Sequence, residues 1–158
     1  MLNKSNSGIY YLNESNYKNI EKGNFTKDTL GSILALRDNK EEAVEYYSNL
    51  LEETLKDYNL EDFDILTTVP TNDGDNISQG MMKLLQKLSG NHENLNLKKC
   101  LNRDGGTINI CCDDLKDKNI IIFDYFLTKG TSLNACKETL KKADANLVVC
   151  IALEKSSN

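Results

Sequence analysis

Two unbroken apolar stretches in the second half of the chain constrain its fold more than any other feature. They read "NIIIFD" at residues 119–124 and "NLVVCIAL" at residues 146–153. A short apolar run without polar alternation is typical of a strand that is buried on both faces, as in a parallel sheet. The segment between them, "SLNACKETLKKA", has apolar residues at helical spacing, so it predicts the crossover helix that two parallel strands need.

The first half of the chain also alternates strands with helices. "GIYYLNES" and "FDILTTVP" predict strands, the second ending at Pro70, and "NRDGGTINI" predicts a loop or hairpin. "NKEEAVEYYSNLLEETLKDY" predicts a helix in which Asn39 forms a capping box with Glu42. "ISQGMMKLLQKLSG" predicts another helix, with Ile77 facing inward and Gly90 closing it. We therefore expect an α/β fold with a mainly parallel sheet flanked by helices.

The chain shows no sign of division into smaller units. No internal repeat and no Pro/Gly/Ser linker interrupts it, and its 39% hydrophobic and 27% charged residues are ordinary for one soluble domain. Residues 1–158 are therefore interpreted as a single domain. Residues 31–158 would form its core, and residues 1–30 either a small hood or an extra strand.

Composition and charge argue against several classes of function. A net charge of -5 argues against direct nucleic-acid binding, and no apolar run approaches the roughly 18 residues of a membrane span. The five cysteines form no C-x-x-C pair and no secretory segment precedes them, which favours reduced thiols in a cytoplasmic protein. Cys136 and Cys150 are then expected in the core. With His92 as the only histidine, a structural zinc site is not expected.

The polar residues directly after "NIIIF" form the candidate site. Ligands of parallel sheets bind beyond the carboxyl ends of the strands. Asp124 ends this strand, and the turn after it leads into a helix whose first N–H groups attract anions. The turn supplies hydroxyls, a glycine and a cation that suit a phosphate: Thr128, Lys129, Gly130, Thr131 and Ser132. These residues alone leave two interpretations open, a sugar-phosphate site or an ordinary capped turn.

The segment resembles the phosphoribosyl pyrophosphate (PRPP) motif of the type I phosphoribosyltransferases. In that motif, four apolar residues precede two acids and a T-T-G-x-T phosphate loop. The matching positions are the apolar run 120–123, the first acid Asp124, and the loop residues Thr128, Gly130 and Ser132. The motif is degenerate, because Tyr125 stands for the second acid and Lys129 for the second threonine of the loop.

Other segments resemble the competence-protein (ComF-like) branch of the same family. "ILTTVP" resembles its strand ending in V-P, which precedes the loop that faces pyrophosphate, here Thr71 and Asn72. "CLNRDGGT" resembles its L-x-R-x-x-x-T segment through Leu101, Arg103 and Thr107. "LGSILALRDN" resembles the lead-in to its first helix. The similarity spans residues 30–155.

This resemblance implies a function for each part of the site. Asp124 and Arg103 would be the catalytic residues, with Tyr125 beside the ribose and Arg103 neutralising the pyrophosphate. Residues 128–132 would hold the 5′-phosphate, and magnesium would enter through the bound PRPP near Asp124. The implied reaction transfers a phosphoribosyl group to a nitrogen acceptor and releases pyrophosphate.

The departures from the motif keep a second function open. A second acid is missing, and "PTNDGDN" contains no Lys or Arg to attract pyrophosphate. The domain would then sense PRPP or a nucleotide without catalysis, or act as a protein or DNA partner module in competence or defence. For the transferase and for the PRPP or nucleotide sensor, the expected partner is a small-molecule ligand. A homodimer is left open. The acceptor base is not specified by these residues.

Overall fold

The computed structural model describes residues 2–15, 30–71 and 78–156. A six-stranded sheet forms its centre, with the strand order β1-β2-β8-β7-β3-β4. Its strands are β1 (Asn3–Lys4), β2 (Tyr10–Ser15), β3 (Ile65–Thr68), β4 (Asn96–Leu97), β7 (Asn119–Leu127) and β8 (Leu147–Ser156). The remaining two, β5 (Leu101–Asp104) and β6 (Thr107–Ile110), form a separate antiparallel hairpin.

Every neighbouring pair in the large sheet is parallel except β1 with β2. The two apolar stretches of the sequence, β7 and β8, are adjacent at its centre, with Ile120 opposite Val148. This confirms the mainly parallel α/β fold. The N-terminal residues add β2 to the sheet beside β8, with β1 as the antiparallel edge strand. Residues 16–29, the rest of the predicted hood or strand, lie outside the described residues.

Helices cover both faces of the sheet. They are α1 (Leu30–Arg37), α2 (Glu41–Leu55), α3 (Gln79–Asn91) and α4 (Thr131–Lys142). Side chains from α1, α2 and α3 form one hydrophobic cluster, and side chains from α4 and the β5–β6 hairpin form the other. Strand β7 serves both clusters, because alternate residues point to opposite faces: Ile121 and Phe123 to the first, Ile120 and Ile122 to the second.

The start of α2 and the end of α3 differ from the prediction. Lys40 is the N-cap residue of α2 and makes no side-chain cap, so the capping box of Asn39 and Glu42 is wrong. Asn39 instead has a left-handed backbone (φ 61°), and its Nδ2 donates to Gln79 Oε1 at 3.2 Å. Gly90 lies inside α3, which continues to Asn91. Ile77 lies outside the described residues.

Helices α1 and α3 approach each other closely at one glycine. A β-carbon at Gly80 would lie 1.7 Å from the carbonyl oxygen of Leu36, a distance that no side chain could occupy. The contact holds the last turn of α1 against the first turn of α3. Both ends are therefore fixed near the carboxyl edge of the sheet, where β3 and β7 end.

The cysteines that were expected in the core are buried. Cys136 and Cys150 are both buried in the cluster beneath α4, as predicted, and Cys100 lies in the same cluster. No helix within the described ranges is long and apolar enough to cross a membrane.

Candidate functional site

Asp124 lies at the carboxyl edge of the sheet, in β7 opposite Ala152 of β8. It is half-buried, and its Oδ1 accepts a hydrogen bond of 2.8 Å from the backbone N–H of Tyr125. Burial raises the pKa of Asp124 to about 6, while that hydrogen bond and the charges of Arg103 and Arg37 act to lower it. At neutral pH the carboxylate form therefore predominates, with a protonated form close in energy.

Tyr125 points to the opposite face of the sheet from Asp124. Its side chain packs against the cluster formed by α1, α2 and α3. Its hydroxyl shares a hydrogen bond with Ser78 Oγ and accepts another from the backbone N–H of Met81 at 3.1 Å. Ser78 is the N-cap residue of α3, so Tyr125 helps to satisfy the first turn of that helix. The side chain at the predicted second-acid position thus helps to hold α3.

The predicted phosphate segment follows β7 as a short turn. Strand β7 continues three residues beyond Asp124 to Leu127, so the turn proper is residues 128–130. Thr128 and Lys129 are exposed, and Gly130 is the N-cap of α4 with a left-handed backbone (φ 80°). Among the described residues no side chain caps this helix, which leaves the N–H groups of its first turn available to an anion. Thr131 and Ser132 are the first two residues of α4.

The turn between β1 and β2 packs against the predicted phosphate segment. A β-carbon at Gly130 would lie 2.7 Å from Ile9 Cδ1 and 3.2 Å from Ser7 Oγ. The Ser7 hydroxyl also shares a hydrogen bond of 2.9 Å with the hydroxyl of Ser5. This contact joins residues more than 120 positions apart, so local sequence patterns do not predict it.

Arg103 lies in β5, opposite Ile108 of β6. Its Nε is buried and has no hydrogen-bond partner in the part of the chain that the structure describes. Burial raises the pKa of Cys136 to about 12, Asp124 adds to the effect, and Arg103 opposes it. The charge of Arg103 thus acts on both Asp124 and Cys136, and its hairpin packs in the same hydrophobic cluster as Cys136.

The charge of Arg37 also acts on this site, which the sequence did not predict. Arg37 is the last residue of α1, and its charge lowers the pKa of both Asp124 and Tyr125. The signal available in the sequence was its residue type, because Arg37 and Arg103 are the only arginines in the chain. Their positions relative to Asp124 required the folded structure.

The predicted pyrophosphate loop is described only at its start. Pro70 is buried just beyond β3, and Thr71 after it is half-buried. Asn72, like the rest of the segment up to residue 77, lies outside the described residues. The roles predicted for Thr71 and Asn72 therefore stay predictions.

The residues around Asp124 do not fit a magnesium ion bound by the protein. No group of three or more His, Cys, Asp or Glu side chains that could hold a metal occurs within residues 2–15, 30–71 and 78–156. Magnesium prefers octahedral oxygen coordination, and β7 offers Asp124 alone, since Tyr125 faces away. The charges of Arg37 and Arg103 also disfavour a cation beside that carboxylate.

Two concave regions lie away from Asp124. One is a cavity of about 110 Å³ with an apolar lining, contributed by Leu2, Tyr10, Leu55, Tyr58, Leu60, Phe63, Ile121, Val149 and Ile151. The other is an open depression on the outer surface of α4, lined by Asn134, Lys137, Glu138, Lys141 and Lys142. The first is mainly apolar and has no basic residue in its lining, and the second lies along the exposed side of the helix.

The fold is similar to that of solved enzymes of phosphoribosyl chemistry. The phosphoribosylpyrophosphate synthetase of Mycobacterium smegmatis superposes with a TM-score of 0.50 and 13% identity over 72% of this chain and 33% of that one. The purine phosphoribosyltransferase of Pyrococcus horikoshii Ot3 superposes with a TM-score of 0.49 and 19% identity, over 72% of this chain and 83% of that one. The hypoxanthine-guanine phosphoribosyltransferase of Bacillus anthracis superposes with a TM-score of 0.47 and 12% identity, over 78% of this chain and 68% of that one.

These similarities concern the fold alone. The synthetase, with a TM-score of 0.50, is the structure on which the comparison rests. This chain spans only a third of the synthetase. No family model matches the sequence, and no curated protein is significantly similar to it in sequence. The structural neighbours are thus phosphoribosyltransferases and a synthetase of PRPP, whereas the competence-protein branch stays a prediction.

Proposed function

We propose that the carboxyl edge of β7 binds a phosphorylated pentose, either as PRPP or as the 5′-phosphate of a nucleotide. The observation that carries this proposal is the arrangement of Asp124, the left-handed Gly130 and the uncapped start of α4 within one short segment. The shared fold with a PRPP synthetase supports a ligand of this class.

The phosphate would bind at the start of α4. The N–H groups of the first turn have no acceptor within the helix, and the helix dipole adds about half a positive charge there. The hydroxyls of Thr128, Thr131 and Ser132 lie in the same segment and can donate to phosphate oxygens. Lys129, which is exposed, can add its charge at the rim of the site.

The pentose would bind beside Asp124. An ionised carboxylate accepts hydrogen bonds from two neighbouring sugar hydroxyls, and such bonds are stronger than neutral ones. Burial also makes this carboxylate an effective counter-charge for a cationic sugar, because a low local dielectric strengthens the attraction. Phosphate binding at one end would hold the reactive sugar carbon at a fixed place.

With PRPP and a nitrogen acceptor bound, the site would support phosphoribosyl transfer. The bond from C1 of the ribose to the pyrophosphate oxygen breaks, and pyrophosphate leaves with the electron pair. A bond from C1 to the acceptor nitrogen forms, and that nitrogen loses its proton to water or to the departing pyrophosphate. Asp124 would stabilise the positive charge on the sugar, and Arg103 the negative charge on the leaving group.

A second function, nucleotide binding without catalysis, is favoured by Tyr125. The hydroxyl at the second-acid position is held by Ser78 and Met81, so it adds no negative charge beside the sugar. One carboxylate would stabilise the transition state less than two, whereas ground-state binding of a phosphate is unaffected.

Binding and turnover of defined ligands would test the proposal. Ribose 5-phosphate and inorganic phosphate are titrated calorimetrically into wild type, Asp124→Asn, Thr128→Ala and the surface control Lys142→Gln. We expect Asp124→Asn to weaken ribose 5-phosphate about tenfold but leave inorganic phosphate unchanged, and Thr128→Ala to weaken both. Absence of binding by both ligands would overturn the proposal.

Turnover separates the two functions. Pyrophosphate release from PRPP is measured with a panel of purine and pyrimidine bases. Release that Asp124→Asn abolishes supports the transferase, while ligand binding without release supports the nucleotide-binding function.

A further inference from the structure

Three of the five cysteines lie at the base of the β5–β6 hairpin. Cys100 directly precedes β5, and Cys111 and Cys112 directly follow β6. All five cysteines of the chain lie within the described residues and are in the thiol form. The proposed phosphate-binding function uses none of these three thiols, so the chemistry open to them is a separate question.

The backbone holds the two ends of the hairpin together beyond its ladder. Leu101 and Ile110 are the pair at the open end of that ladder. One residue further, the N–H of Cys111 donates a hydrogen bond of 2.8 Å to the carbonyl oxygen of Cys100. Cys112 is the next residue along the chain, so its backbone is held beside that of Cys100.

The side chains of Cys100 and Cys112 meet on one side of the hairpin. Cys100 is buried in the hydrophobic cluster beneath α4, and the half-buried Cys112 packs against the same cluster. The two thiols share a hydrogen bond, which keeps their sulfur atoms within reach of each other. Cys100 Sγ also donates to the carbonyl oxygen of Lys98 at 3.5 Å, and this contact restricts the rotation of its side chain.

Cys111 has different surroundings. Its side chain is exposed, and its Sγ donates to the carbonyl oxygen of Lys99 at 3.7 Å. Accessibility alone would therefore favour Cys111 as a reactive thiol, whereas contact between sulfur atoms favours Cys100 with Cys112.

We propose that Cys100 and Cys112 are a reversible redox pair, which a peroxide converts into a disulfide across the base of the β5–β6 hairpin. A disulfide needs α-carbons within about 7 Å of each other. Paired strands lie about 5 Å apart, so the hydrogen-bonded backbone at Cys100 is compatible with this condition. The link would join the segment that enters β5 to the segment that leaves β6.

The conversion removes two electrons from the thiols, and hydrogen peroxide accepts them. The thiolate of Cys112 attacks one peroxide oxygen, the O–O bond breaks, and the departing hydroxide takes up the proton that the thiol released, which leaves a sulfenic acid and water. The sulfur of Cys100 then attacks the Cys112 sulfur, so that an S–S bond forms and the S–O bond breaks. The second hydroxide leaves with the Cys100 proton as water, and a dithiol reductant reverses the conversion.

Burial gives the two thiols different roles in this reaction. Cys100 is fully buried, and burial together with the neighbouring Cys112 raises the pKa of its thiol to about 12. A buried thiol of this kind is inert toward a dissolved oxidant, so Cys100 reacts only with the sulfur that it contacts. Cys112 is accessible from solvent and meets the peroxide first.

Peroxide treatment of the full chain tests the pair. Wild type, Cys100→Ser, Cys112→Ser and the control Cys111→Ser are treated with hydrogen peroxide, alkylated, digested and mapped by mass spectrometry. We expect wild type and Cys111→Ser to lose two hydrogens and to give one peptide pair that is joined through residues 100 and 112 and separated by dithiothreitol. Cys100→Ser should leave Cys112 as a sulfenic acid, which dimedone traps about tenfold more than in wild type.

Wild type unfolded in urea is the control for the role of the fold, because its five cysteines should then pair without preference. The proposal is contradicted if folded wild type forms no link between residues 100 and 112, or if Cys111 takes either position in the link. It is equally contradicted if that link is no more frequent in the folded chain than in urea. These outcomes are read on wild type, so they do not depend on the folding of any variant.

Discussion

The hydroxyl of Tyr125 accepts a hydrogen bond from the backbone N–H of Met81 at 3.1 Å, and so a side chain of the central strand caps the neighbouring helix α3. The Oγ of Ser78 accepts a hydrogen bond from the same N–H at 3.4 Å and shares another with the tyrosine hydroxyl. The three groups tie β7 to α3 beside the candidate site. The residue predicted at the position of a second acid is thereby part of the scaffold.

Replacing Tyr125 with phenylalanine tests this structural role. We expect the free energy of unfolding to fall by about 1–2 kcal/mol, because the α3 N–H groups lose a partner while the ring still packs. Affinity for ribose 5-phosphate should change less than about twofold, since the hydroxyl points away from Asp124. Urea denaturation and calorimetry would measure both. A large loss of affinity with unchanged stability would contradict this role.

Gly80→Ala should be among the most destabilising single changes in the chain. Its β-carbon would meet the Leu36 carbonyl oxygen at 1.7 Å, so α1 and α3 would have to separate. We expect a loss of about 3 kcal/mol or more, measured by urea denaturation.

The same substitution at Gly90 is a matched control in the same helix. Nothing lies within 4 Å of the β-carbon that Gly90→Ala would add. Because alanine has the higher helix propensity, we expect stability to rise by up to about 1 kcal/mol. Equal effects at the two glycines would mean that the α1–α3 contact is not tight.

Asp124→Asn should alter how stability depends on pH. Folding raises the pKa of Asp124 to about 6 from an ordinary value of 3.8. Its contribution to stability is therefore full below about pH 4 and is lost as the pH rises through about 6. We expect the asparagine variant to be about 2 kcal/mol more stable than wild type at pH 8.

Denaturation of both proteins at a series of pH values would measure this difference. It should shrink steadily between pH 6 and pH 4, because the protonated carboxyl group resembles the neutral amide. A difference that is constant across this range would show that Asp124 titrates normally in the folded protein.

Tyr47→Phe, in α2, should lower the free energy of unfolding. The Tyr47 hydroxyl donates a hydrogen bond of 2.9 Å to Oε1 of Glu154, whose carboxyl group is buried in β8. The same oxygen accepts a hydrogen bond of 3.2 Å from the side-chain amide of Asn13. Burial raises the pKa of Tyr47, and the charge of Glu154 raises it further. Removing this donor should cost about 1–3 kcal/mol. Tyr46→Phe, at the exposed neighbouring position, should stay within about 0.5 kcal/mol of wild type in the same thermal or urea experiment.

Local sequence determined most of the secondary structure and the class of fold. The unbroken apolar runs of β7 and β8 predicted central parallel strands, because only a strand covered on both faces lacks polar alternation. Helical spacing of apolar residues predicted α2, α3 and α4 for a similarly local reason. Details at helix ends were less predictable, as Asn39 shows, because a tertiary contact with Gln79 competes with capping there.

Some features of the candidate site could be predicted from local sequence, and others depend on tertiary packing. Asp124 and the segment 128–132 could be predicted because they are consecutive in the chain, and a strand followed by a helix places them together by geometry alone. The sequence could not show that Tyr125 would turn toward Met81, or that the charge of Arg37 would act on Asp124. Those relationships join residues 44 to 87 positions apart. Only the packing of helices and hairpin on the two faces of the sheet decides them.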